Sequence, residues 1–101
     1  MVISEEAKKI IEGSSFLTLV TVNPDGTPHP IVAGKGEVSG DNVVFGIYKM
    51  EETRKNILKN SNAQVLGATL TDGPKGIRLS GTAKAEDKKL IFTAVRAEKL
   101  I

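Results

Sequence analysis

The chain has no cysteine and no tryptophan, and only one histidine, one tyrosine and three phenylalanines among 101 residues. Without cysteine there is no disulfide, no thiolate chemistry and no cysteine-based metal site. A cysteine-free chain also fits a reducing cytoplasm. His29 is the sole imidazole; it sits between two prolines, where a surface or packing role is the plain reading, and a metal site built on it would need carboxylate partners. No apolar run approaches the ~18 residues of a membrane span. Glu5 and Glu6 stand where a secretory leader would turn apolar, so no leader is expected. Lys and Arg number 14 against 12 Asp and Glu, a net charge of +2. That bias is too small to argue for nucleic acid or a membrane surface.

Catalytic groups are also scarce. The acidic residues fall in turns and helix starts, where they cap and solubilise. The pair Gly34 and Gly36 is not followed by a helix and matches no phosphate-binding loop. A redox reaction on this chain would need a cofactor to carry the hard step.

What is present suits one small globular domain spanning residues 1–101, 40% apolar and 26% charged. A chain of this size buries roughly 65% of its unfolded surface. There is no repeat, low-complexity tract or linker. Ser4 to Glu12 predicts a short helix, with Ser4 as N-cap, Glu5 and Glu6 in the first turn, and Ala7, Ile10 and Ile11 as its apolar stripe. Strands are expected over Phe16–Val22, Pro28–Val38, Asn42–Tyr48, Ala63–Thr71, Ile77–Ala85 and Leu90–Ala97. The first is β-branched. The second carries prolines suited to an edge, and Gly34 and Gly36 imply a bulge or a close approach. The fifth alternates cleanly. The last is apolar on both faces and so is expected to be covered on both. Met50–Asn60 predicts a second helix with Met50, Ile57 and Leu58 on one side. Turn signals every 8–12 residues imply a small barrel or sandwich.

The start of that second helix is the best candidate for an anion contact, because free N–H groups at a helix N-terminus attract anions. Thr53 offers a hydroxyl, and Lys49, Arg54 and Lys55 offer charge. A solvated amphipathic helix with pairs such as Glu51–Lys55 explains the same residues. Glu51 and Glu52 count against a phosphate.

The run of strand, strand, short polar helix and strand from Asn23 to Leu70 resembles the FMN-binding split-barrel family, relatives of pyridoxamine-phosphate oxidase and of small FMN-binding proteins. The resemblance implies a mainly β fold, a six-stranded antiparallel Greek-key split barrel with two short helices. It implies FMN as cofactor, held at a homodimer interface, and flavin-dependent electron or hydride transfer. By position, Val32, Ala33, Gly34 and Lys35 would lie along the flavin ring. Ile47, Tyr48 and Lys49 would offer backbone groups to it. Thr53 and Arg54 would meet the phosphate, with Lys49, Arg54 or Lys55 supplying charge. Ile101 would reach the partner's flavin. Only Glu86–Lys89 separates the last two strands, and the arginine- and histidine-rich segments of pyridoxamine-phosphate oxidases are missing, so that activity is not expected. The alternative is a split barrel without FMN that binds haem, a deazaflavin or a protein partner. A nucleic-acid groove is disfavoured, because the aromatics sit in apolar strands and the fifth strand's polar face is only mildly basic.

Overall fold

Ser4 starts the first helix, α1 (Glu5–Gly13), by accepting a hydrogen bond from the Ala7 N–H at 3.1 Å. Ala7, Ile10 and Ile11 of α1 are buried, as the 3.6-residue period requires. The computed structural model describes residues 1–46 and 50–101. The strands are β1 (Leu17–Val22), β2 (Pro28–Gly34), β3 (Glu37–Ser39), β4 (Asn42–Gly46), β5 (Asn62–Thr69), β6 (Lys75–Glu86) and β7 (Lys89–Lys99), with helix α2 (Glu51–Lys59) between β4 and β5.

These strands form one antiparallel sheet of seven in the order β2-β1-β5-β6-β7-β4-β3. The outermost strands, β2 and β3, are consecutive in sequence and separated only by Lys35 and Gly36. Two edges joined by so short a link must lie close in space, so the sheet rolls into a barrel with an open seam.

The count and order differ from the expected six-stranded Greek key. The predicted strand over Pro28–Val38 breaks in two because Gly34 adopts φ +76°. Gly36 then passes so close to the core that a Cβ there would stand 2.8 Å from Val43 Cγ1 and 3.0 Å from Leu17 Cδ1. Glycine alone permits that turn and that approach.

The core fills the barrel with Leu17, Leu19, Val43, Phe45, Val65, Leu79, Leu90 and Phe92, and α1 closes one side through Ile10 and Ile11. The Ser14 hydroxyl donates to the Ile10 carbonyl at 2.6 Å and accepts from the Ala68 N–H at 3.0 Å, tying α1 to β5. Glu12 accepts from the Val38 N–H at 3.1 Å, tying it to β3.

Two expectations need correction. Phe16 is exposed and β1 starts at Leu17. Leu58 is also exposed, and α2 buries Ile57 together with Thr53 and Asn56. Within the single chain the last strand is covered on one face. Leu90, Phe92 and Ala94 point inward, the register then slips between Ser80 and Gly81, and Val95 stands on the slip with 69% of its surface exposed. Among the described residues no helix is long and apolar enough to cross a membrane.

Candidate functional site

In the β1–β2 hairpin the Asn23 N–H bonds to the Thr27 carbonyl at 2.8 Å. Antiparallel partners alternate between bonded and non-bonded pairs. Thr21↔His29 and Leu19↔Ile31 are therefore the bonded pairs, while Pro28, Pro30 and Val32 turn their backbones away from β1. The two prolines have no N–H to offer there. Val32 is thus the first residue of β2 with both a donor and an acceptor directed off the sheet edge.

That edge faces the start of α2 across a groove of about 650 Å³, lined by His29, Ile31, Val32, Met50, Glu51, Glu52 and Thr53. Ile31, Val32 and Met50 make the wall largely apolar.

A polar chain that is buried at Asn56 and Thr21 and runs out to the exposed hairpin turn sets the position of α2. Asn56 Nδ2 donates to Thr21 Oγ1 and to Asn23 Oδ1, both at 3.1 Å. Asn23 donates onward to Thr27 Oγ1 at 3.1 Å. The Thr27 hydroxyl and N–H both donate to Asp25, and these bonds hold the Asp25 carboxyl below its ordinary pKa. The helix is thereby keyed to β1 and to the hairpin turn together.

The structure brings only some of the expected site residues together. Val32 and Thr53 share the groove. Ala33 packs against the core, Gly34 makes the positive-φ turn, and Lys35 is exposed beyond it. Arg54 is exposed and is not part of the groove lining. Ile101 lies in a separate groove with Phe16 and Leu70. Ile47, Tyr48 and Lys49 lie outside the described residues. Sequence reasoning did not assign His29, Ile31 and Met50 to the site; the prolines flanking His29, which mark an outward-facing edge, were the available signal.

A flavin fits the β2 half of this groove. Among the described residues it offers an apolar wall, a strand edge with unpartnered backbone groups at Val32, and nothing within 4 Å of a Cβ built on Gly34. The α2 half suits a phosphate less well. Glu51 and Glu52 occupy the first turn and Thr53 is only 1% exposed, although Met50 gives the first N–H groups no side-chain cap. Lys55 points to Glu52, 3.8 Å away.

A second groove of about 600 Å³ crosses the outer face of β1, β5, β6 and β7, with Val20, Val22, Gln64, Ser80, Val95 and Arg96 in its lining. Nearby on that face, Arg78 donates through Nε and Nη2 to Glu98 Oε1 at 3.0 and 2.6 Å, with Arg96 Nη2 at 3.3 Å from the same oxygen. The Arg78 bond, aided by Arg96, keeps the Glu98 carboxyl below its usual range. No group of three or more histidine, aspartate or glutamate residues suited to a metal occurs among the described residues.

The fold is shared with several solved proteins at low sequence identity. The HupZ protein of Group A Streptococcus superposes with a TM-score of 0.81 at 18% identity, covering 97% of this chain and 99% of the other. An FMN-binding protein from Syntrophomonas wolfei gives 0.80 at 17% identity, covering 96% and 85%. A heme-binding protein from Mycobacterium smegmatis gives 0.80 at 16% identity, covering 95% of this chain and 52% of its own length. No curated protein matches the sequence. Residues 3–100 match the pyridoxamine 5'-phosphate oxidase family, and the chain therefore belongs to it.

Proposed function

We propose that this protein is a flavin-binding redox protein that works as a homodimer, with FMN as the first candidate cofactor. The observation that carries the reading is the edge of β2, where the Val32 backbone donor and acceptor point off the sheet with no partner among the described residues and border a groove with an apolar wall. The family and the FMN-binding neighbour from Syntrophomonas wolfei support it. A bound flavin supplies transfer of electrons or hydride between a donor and an acceptor. The chain's residues would bind and orient it: Val32 to Lys35 along the ring, Ile47 to Lys49 through their backbone, and Thr53 and Arg54 near the far end. Ile101 would reach across to the partner's flavin, and the outer groove around Val95 would bury the partner's sheet.

The test is the visible absorption of the purified protein before and after FMN is added and the excess removed. Retained flavin absorption supports the reading, and a colourless protein in both samples overturns it. A second reading, haem, is favoured by the presence of both His29 and Met50 in the groove, since histidine and methionine are the usual pair of axial ligands in electron-transfer haem proteins. An intense single band near the blue edge of the visible, lost in His29→Ala, would establish that alternative.

A further inference from the structure

We propose that the second half of β7, Val95–Lys99, is a docking edge for an extended, uncharged segment of a partner protein, which adds to the sheet as a short strand. The inference is independent of the flavin reading, and the groove it concerns shares no residue with the groove beside α2.

The edge exists because β7 outruns its neighbour. β4 pairs with β7 only from Lys89 to Thr93, and the Asp41 carbonyl takes the Ala94 N–H at 2.8 Å. Beyond that point β6 is the one strand paired with β7 among the described residues. The Leu100 N–H donates to the Gly76 carbonyl at 3.0 Å, so the bonded pairs run back through Arg78↔Glu98 and Ser80↔Arg96. Ala97 and Lys99 fall between them. Their N–H and C=O groups therefore point away from β6, and no partner for these groups occurs among the described residues. Both residues are exposed. The described part of β4 ends at Gly46 opposite Lys89, at the far end of β7.

This open stretch borders a groove of about 190 Å³ between β7 and the start of α1, with Ala7, Ile10, Ile77 and Ala97 in its lining. The charges around it already answer one another. Lys99 stands 3.4 Å from Glu6, and Glu98 accepts from Arg78 at 2.6 Å. An occupant therefore needs backbone donors and acceptors at strand spacing, small apolar side chains and no charge of its own. An extended polypeptide offers that combination, and strand alternation turns every second side chain toward the groove. The ends of the sheet are guarded against such addition, by prolines on β2 and by Glu12 on β3. The inner stretch on β7 has neither device, and Lys99 is drawn aside to Glu6. Antiparallel pairing with the same edge of a second copy, centred on Glu98, would set two carboxylates opposite each other, which disfavours that occupant.

The experiment adds an end-blocked pentapeptide of alternating valine and threonine to the full chain at millimolar concentration and follows amide hydrogen exchange by NMR. In the free chain the Ala97 and Lys99 amides should exchange fast, and those of Arg96 and Glu98 slowly. The peptide should slow Ala97 and Lys99 selectively. The same peptide N-methylated at alternate backbone positions keeps its side chains and loses its donors. It should bind about tenfold more weakly, the scale of one or two backbone bonds. Ala97→Pro removes an outward N–H and none of the bonds to β6, and should weaken the unmethylated peptide to the same degree, with urea unfolding to show that the fold is kept. Slow exchange of Ala97 and Lys99 in the free chain would overturn the inference, as would exchange unaltered by the peptide or equal binding of the methylated form. Protection that rises with protein concentration and not with peptide would give the edge to a second copy and overturn it as well.

Discussion

Asn56 on α2 and Thr21 on β1, 35 residues apart in sequence, are joined by a buried hydrogen bond of 3.1 Å from Nδ2 to Oγ1. The same amide nitrogen also serves Asn23. Its removal leaves a buried hydroxyl and a partly buried amide oxygen without their donor, which costs about 1–3 kcal/mol. Asn56→Ala should lose stability in that range in urea unfolding, whereas Leu58→Ser, at an exposed position on the same helix, should stay within about 0.5 kcal/mol of the native chain. Equal, negligible effects would mean that the network does not hold α2.

Gly81 provides a second check, on the slipped register of β6 and β7. A Cβ at this residue would stand 1.9 Å from the Thr93 carbonyl oxygen and 3.1 Å from the Ala94 Cα. Both neighbours are backbone and cannot rotate aside. Gly81→Ala should therefore cost at least about 1–3 kcal/mol, the scale of overpacking. Gly81→Ala with native stability would show that the two strands do not approach this closely.

The Arg78–Glu98 pair makes stability depend on acid. Glu98 is held below its ordinary value of 4.5 by hydrogen bonds that its charged form accepts. A carboxyl depressed in the folded state contributes fully above its unfolded value and loses that contribution as pH falls through the folded one. Melting temperature should thus decline as pH drops below 4.5. Glu98→Gln should flatten that decline, and identical slopes for the two proteins would remove Glu98 as a cause.

Val95 tests the proposed dimer. It stands exposed at the register slip and lines the outer groove. Val95→Asp should shift the sedimentation of the chain from dimer to monomer at micromolar concentration and leave the fold intact, because the side chain does not enter the core. A variant that sediments like the native dimer would place the partner elsewhere.

Lys35 bears on the proposed cofactor. A cation beside the ring would stabilise reduced, anionic flavin. Lys35→Met should lower the midpoint potential of bound flavin, by about 30 mV for each 1.4 kcal/mol of lost interaction in a two-electron couple. An unchanged potential would exclude Lys35 from the ring's neighbourhood.

Local patterns carried much of the fold. The Ser4 cap, the Ala7, Ile10 and Ile11 stripe, and the alternation from Ile77 to Ala83 are all visible in sequence, because each depends on neighbours along one element. The errors came where distant contacts decide. Phe16 and Leu58 are apolar but lie exposed, and Asn56 is polar but buried, because its partners are on β1 and the turn after it. The split of one predicted strand was half visible: Gly34 and Gly36 marked a bulge or close approach, but the neighbours of Gly36, Val43 and Leu17, come from two other strands. Val32 and Thr53, both named from the sequence, line one groove. The grouping of His29 with Met50 depends on how β2 and α2 pack, which no single segment records.

The two ends of the sheet also bear on how the protein behaves when crowded among other chains. An unpaired strand edge is a template for strand addition and aggregation. On β2, Pro28 and Pro30 remove the outward donors. On β3, the outward N–H of Val38 is occupied by the Glu12 carboxylate. An incoming extended segment therefore finds little to pair with until it reaches Val32, so the stretch of edge left open to hydrogen bonding is the one that borders the groove.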